Sequence, residues 1–251
     1  MSSPLADRIR PTNLDEVVGQ RHLLDKGKYL RKIIENGNIP NMIFYGPSGV
    51  GKTTVARIIA ENTNKKLHKL NGTSAGIADI KEVIADTDTI DGMNGILLYL
   101  DEIQYLNKKQ QQSLLEYIEN GQITLIASTT ENPYFYVYNA ILSRSAVFEF
   151  KPVTAEDIIP ACQRAFNILS QESGVKIRIA KGVCEHIATA CGGDVRKSLN
   201  FVELCVLSAP IVDGNRVITL ENTGNLTMKN TFRYDKAGDE HYDILSAYQK
   251  S

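Results

Sequence analysis

The chain has 251 residues, 43% of them hydrophobic and 23% charged, with a net charge of −1 at neutral pH. That length exceeds the usual single domain, and the composition is that of an ordinary globular protein, which excludes a disordered or low-complexity chain. No apolar run is long enough to span a membrane and the first residues lack the core of a signal peptide, so a cytoplasmic protein without membrane partners is expected.

With so little net charge the chain carries no general field for collecting nucleic acid, which would have to meet a local patch or an assembled surface. Four cysteines, Cys162, Cys184, Cys191 and Cys205, are too scattered for a disulfide framework. Cys184, His186 and Cys191 do not have the paired spacing of a zinc knuckle, and core packing is expected for them.

From Asn41 to Phe150, short β-rich apolar runs alternate with helical periodicity, the pattern of a parallel α/β sheet. Five strands are predicted, at Met42–Tyr45, Leu67–Leu70, Ile96–Leu100, Ile123–Ala127 and Val147–Phe150. Helices are predicted between them over Thr53–Glu61, Ile77–Ala85 and Lys108–Ile118. After Val153 the pattern turns helical, with Thr154 and Asp157 marking a helix start. Helices over Asp157–Glu172, Lys181–Cys191 and Val195–Leu207 and a turn at Asp213–Gly214 complete a second, mostly helical domain. The expected divisions are 1–153, 154–220 and 221–251. His241–Tyr248 reads as an amphipathic helix with no stop before Ser251, as in a chain that continues.

Gly46-Pro47-Ser48-Gly49-Val50-Gly51-Lys52-Thr53 has the G-x-x-x-x-G-K-[ST] pattern, between a predicted strand and a predicted helix. Its backbone N–H groups suit phosphate oxygens, Lys52 the outer phosphates, and Thr53 a magnesium ion, with Thr54 opening the helix behind it. About fifty residues on, a buried strand ends in Asp101 and Glu102, where an acidic pair gains nothing from packing. Asp101 suits the metal and Glu102 the attacking water, so ATP with Mg2+ and an ATP hydrolase are expected.

Further strings complete a resemblance. They are Asp15-Glu16-Val17-Val18-Gly19-Gln20, Thr129-Thr130-Glu131-Asn132-Pro133, Leu142-Ser143-Arg144, Gly192-Gly193-Asp194-Val195-Arg196 and the stretch from Tyr234 to Asp243. With the phosphate loop they resemble the bacterial replication-associated recombination protein A family, AAA+ ATPases related to clamp loaders and to the Werner helicase-interacting protein. The resemblance spans the chain and implies a P-loop AAA+ domain with a five-stranded parallel sheet, then a small helical lid.

The resemblance also implies roles. Val18, Gly19 and Gln20 would lie near adenine, largely through backbone; Thr130, or else Thr129 or Asn132, would be the first sensor. Arg144 would enter a neighbouring subunit's site, Arg196 would reach the phosphates from the lid, and Asn71 would restrain Glu102. Where the family commonly has His-Arg, this chain has Gln104-Tyr105. The family continues into a tetramerising helical region, so an N-terminal fragment is expected. Implied partners are DNA gaps, ends or forks, met through Lys81, Lys108 or Lys109, and single-strand-binding protein, near the nucleoid. A nucleotide-gated scaffold, a sliding-clamp loader and, more distantly, a small-molecule kinase are the alternative readings.

Overall fold

The computed structural model describes residues 5–63, 65–92 and 94–227. In chain order the elements are α1 (Leu5–Arg8), α2 (Arg21–Leu24), α3 (Tyr29–Asn36), β1 (Met42–Tyr45), α4 (Lys52–Glu61), β2 (Lys66–Asn71), α5 (Ile77–Asp86) and β3 (Ile96–Asp101). There follow a 3-10 turn at Ile103–Tyr105, α6 (Lys108–Ser113), α7 (Leu115–Glu119), β4 (Ile123–Thr129), α8 (Pro133–Tyr136), α9 (Asn139–Leu142) and β5 (Ala146–Glu149). The remainder comprises α10 (Ala155–Ser173), β6 (Ile177–Ile179), α11 (Val183–Ala190), α12 (Val195–Ser208), β7 (Ile211–Val212), β8 (Asn215–Ile218) and a helical stretch at 220–227.

Two compact units emerge, one of Arg10–Val153 and one that joins residues up to Ile9 to those from Thr154 onward. In the first, β1 to β5 form one all-parallel sheet in the order β2-β3-β4-β1-β5. The central strands are buried on both faces, which is why they read as continuous apolar runs instead of alternating ones. One face packs Ile43, Leu98, Leu100 and Leu125 against α5 and α7 through Ile80, Val83 and Ile118. The other carries α4, and Phe44 packs there with Phe148 and Phe150, ring centroids 6.1 and 5.0 Å away.

The predicted helix Lys108–Ile118 is two helices, broken at Leu114. Ser113 Oγ donates back to Gln110 O at 2.7 Å, and the Leu114 N–H reaches Gln111 O three residues back, tightening the turn.

In the second unit the predicted helices are present, and Thr154 Oγ1 caps the first by accepting the Asp157 N–H. The unit is mostly helical, as expected, and adds a small sheet in which β6 pairs parallel to β8 and β7 pairs antiparallel to it across the Asp213–Gly214 turn. One expected boundary is corrected. The division at 220 falls inside the helix 220–227, whose Thr223 is fully buried with its hydroxyl on Thr219 O. The helix predicted at His241–Tyr248 and the Tyr234–Asp243 string lie outside the described residues.

All four cysteines are free and buried in this unit. Burial pushes the Cys184 and Cys205 thiols up to about 11 and Cys162 to about 12. They pack as apolar groups, and among the described residues no cluster of His, Cys, Asp or Glu could by itself hold a metal ion. Nor is any described helix long and apolar enough to cross a membrane.

The expected first domain 1–153 loses its N-terminal residues to the second unit. Leu5 is fully buried there and its N–H donates to Glu203 Oε2 at 3.1 Å. Arg8 donates to Glu203 Oε1 at 2.9 Å and to Glu172 at 2.5 Å. Partly buried, charge-assisted bonds such as the two to Glu203 each contribute about 1.5–3 kcal/mol. Glu203→Ala is therefore expected to loosen α1. Hydrogen exchange at the Ile9 amide, which bonds Leu5 O, should accelerate by about tenfold or more while β1 to β5 are unaffected. Unchanged exchange at Ile9 would show that Glu203 does not anchor this segment.

Candidate functional site

The loop after β1 is clamped by backbone. Gly46 N donates to Thr129 O at 3.2 Å, and Gly46 has φ 140°. A Cβ at Gly46 would lie 2.0 Å from Phe150 O, so no other residue fits there. Pro47 and Ser48 form the exposed lip, Val50 is buried, and Gly51 caps α4, which runs on through Thr53 and Thr54. Lys52 is only 7% exposed and its ammonium donates to Gly46 O at 2.5 Å and Pro47 O at 2.7 Å. The result is a cation held over a helix N-terminus and a glycine-bearing loop, a cradle for phosphate.

The segment of Val18, Gly19 and Gln20 runs beside this loop. Gln20, with φ 55°, donates through Nε2 to Lys151 O at 2.7 Å and Val50 O at 3.3 Å, and its Oε1 accepts from Lys151 N at 3.0 Å. Gly19 backs onto Val153. The Gln20 amide is thus committed to protein backbone, tying loop, segment and the exit of β5 together.

Behind the cradle lies a network that the sequence did not announce. Tyr99 Oη is 3.0 Å from Thr53 Oγ1, 3.2 Å from Asp101 Oδ1 and 2.9 Å from Ser128 Oγ, and Ser128 Oγ donates to the same Asp101 oxygen. A phenol has one proton to share among these three acceptors. Burial and the neighbouring Asp101 charge hold the Tyr99 pKa well above its usual value, so that proton stays. Thr53 and Asp101 are thereby linked through one oxygen, and both offer hard oxygen ligands suited to Mg2+. The available signal was a tyrosine inside an aliphatic strand, two residues before Asp101 and hence on its face.

Glu102 sits one residue beyond β3 with φ 55° and ψ 51°, a left-handed conformation that costs a non-glycine residue about 1–2 kcal/mol. Gly72 makes room for it. A Cβ on Gly72 would stand 2.2 Å from Glu102 O, and Gly72 N donates to Asp101 O at 2.7 Å. Asn71, expected to restrain Glu102, accepts through Oδ1 from Thr73 N and Thr73 Oγ1 at 2.9 and 2.7 Å. The residue that does touch the Glu102 carboxylate is Gln104, whose Nε2 donates to Oε2 at 2.5 Å.

Of the three sensor candidates, Thr129 Oγ1 accepts from Glu131 N and Asn132 caps α8, while Thr130 is exposed just beyond β4. Arg144 is at the other edge of the sheet. It precedes β5, its carbonyl accepts from Asn41 Nδ2, and its guanidinium pairs with Glu119 at 2.7 Å. Asn41 and Gly46 bracket β1, which separates the two by about 16 Å of strand rise, beyond an arginine's reach. Arg196 is exposed in the first turn of α12, in the second unit, beside the capping Asp194.

Two substitutions test this geometry. Gly72→Ala should force β2 and Glu102 apart and lower stability by several kcal/mol, read from urea unfolding, because the clash is with backbone. Tyr99→Phe should cost about 1 kcal/mol by removing a buried, fully engaged hydroxyl. Wild-type stability in Tyr99→Phe would show that the network contributes nothing net.

Residues 42–153 match the family described as "ATPase family associated with various cellular activities (AAA)", and residues 172–251 match the AAA C-terminal domain. Replication-associated recombination protein A of Bacillus subtilis is 42% identical over 99% of the chain, and the Escherichia coli K12 protein of that name 37% over 99%. The chain spans 59% and 56% of the length of those two proteins. Among solved structures, a Thermotoga maritima RuvB variant matches with TM-score 0.70 at 24% identity, covering 88% of this chain and 72% of that one, a likeness of fold. Fold, phosphate loop and acidic pair agree with these matches: residues 42–153 form an AAA ATPase domain, and the chain is similar along 99% of its length to replication-associated recombination protein A.

Proposed function

We propose that the protein hydrolyses ATP at the cradle of Gly46 to Thr54 and uses the reaction at DNA, in replication-fork maintenance, recombination and repair. The observation that carries the reading is the convergence of Thr53, Asp101 and Glu102 at one sheet edge, with Lys52 held over the loop. Loop amides and Lys52 would hold the phosphates, with Val18, Gly19 and Gln20 beside the base. Thr53 and Asp101 would hold Mg2+, which when bound offsets phosphate charge. Glu102 would take a proton from water as its oxygen attacks the γ-phosphorus and the bond to the ADP oxygen breaks. Thr130 would orient that water.

Arg144 cannot serve its own cradle from the opposite edge, which supports a role in a neighbouring copy of a homo-oligomer, a tetramer in the whole protein. Arg196 and Lys197 sit in the first turn of α12, where the helix dipole disfavours each cation by about 0.3–1 kcal/mol. An anionic ligand such as the nucleotide's phosphates would compensate Arg196. The relatives' names tie them to replication-associated recombination, which supports DNA as the setting. DNA gaps, ends or forks, single-strand-binding protein as a partner and a cytoplasmic, nucleoid-associated location are part of the proposal. Lys108, which lies over the Tyr138 ring at 5.1 Å, Lys109 and Lys81 are the candidate DNA contacts in the first unit.

The test is steady-state ATP turnover of the whole protein with and without gapped duplex DNA. Glu102→Gln should lose at least about 100-fold in turnover and keep nucleotide binding, since a base matters only in the chemical step. Arg144→Ala should lose about 1,000-fold in the assembled protein. If gapped DNA changes nothing and Glu102→Gln turns over like wild type, a nucleotide-gated scaffold replaces this reading.

A further inference from the structure

We propose that Gln104 is the positioning residue for Glu102, fixing the direction in which its carboxylate faces; the inference rests on the hydrolase reading above. The backbone of Glu102 has no room to move. Its left-handed conformation is braced by the close approach of Gly72, and its carbonyl accepts the Tyr105 N–H at 3.1 Å. Only side-chain rotation remains to decide where the carboxylate points, and the 2.5 Å bond from Gln104 Nε2 to Oε2 decides it.

The amide is itself held firmly. Gln104 lies in the 3-10 turn whose Ile103 is fully buried and which leads into buried Leu106. Its Oε1 is buried without a hydrogen-bond partner among the described residues. Leaving an acceptor so costs about 1–3 kcal/mol, and reversing the amide would set that oxygen against the carboxylate. The sequence therefore tolerates an unsatisfied group in order to present an N–H to Glu102. That bond occupies one carboxylate oxygen and leaves the other to accept the proton of water. Asn71, the other amide near this edge, directs its Oδ1 to Thr73, and the bond to the Glu102 carboxylate is that of Gln104.

The experiment compares Gln104→Leu, which keeps bulk and loses the donor, with Gln104→His, whose ring N–H restores one, and with Glu102→Gln as control, all in the whole protein. Gln104→Leu is expected to lower kcat by about 10- to 100-fold, the scale set by misdirecting a reacting group, with the KM for ATP and the Kd of a fluorescent ATP analogue unchanged. Gln104→His is expected to recover most of the loss. Turnover in Gln104→Leu equal to or above wild type, beside an inactive Glu102→Gln, overturns this inference and spares the hydrolase reading. So does a Gln104→His no better than Gln104→Leu, or a loss of nucleotide binding in both, which would mark a structural role. A fully active Glu102→Gln would overturn the assignment of Glu102 as the base, on which this inference rests.

Discussion

The site depends on backbone approaching backbone at the C-terminal edge of the sheet. At Gly46 the chain passes so near Phe150 O that a Cβ would stand 2.0 Å away, and at Gly72 so near Glu102 O that it would stand 2.2 Å away. These contacts leave the loop after β1 and the turn after β3 no alternative paths. The first contact fixes the loop that leads to Lys52, and the second fixes the backbone that carries the Glu102 carboxylate. Precision here comes from the sheet, whose parallel pairing over β2-β3-β4-β1-β5 fixes every strand end relative to its neighbours.

Within that frame, polar groups are buried at a cost that only mutual pairing offsets. A hydroxyl moved out of water without a partner loses roughly 1–3 kcal/mol, and a carboxylate more. Tyr99, Ser128 and Thr53 are each other's partners around Asp101, so their burial is nearly neutral for stability while their directions become fixed. Gln104 differs. It satisfies Glu102 and leaves its own oxygen unsatisfied, which places the balance at that position on the side of orientation and against stability.

Much of this was legible in the sequence. The five strands were readable because burial on both faces yields unbroken apolar runs such as Ile96–Leu100. The loop was readable because phosphate cradles demand glycine at fixed spacing. The small β6-β8-β7 sheet was not, since strands of two to four residues on a half-exposed surface carry no periodicity to detect. The docking of α1 was hidden for another reason: Leu5 and Glu203 are 198 residues apart, and no local pattern encodes such a partner. Family likeness pointed to Asn71 as the restraint on Glu102; the local turn that its Oδ1 closes with Thr73 was legible as a short polar side chain two residues before a threonine.

Arg144 shows how topology constrains chemistry. In an all-parallel sheet every strand delivers its C-terminus to one edge, so a residue immediately before a strand belongs to the other edge. Arg144 precedes β5 by two residues and lies beside Asn41, at the start of β1, whereas the cradle begins at Gly46, after its end. Its partner Glu119 is about as exposed as the arginine itself, and such surface pairs contribute about 0–1 kcal/mol. Exchanging Glu119 for a more highly charged anion on another copy would therefore cost little. An arginine out of reach of its own site would, under the reading proposed above, act across a boundary between copies, and assembly and turnover would then be one coupled equilibrium.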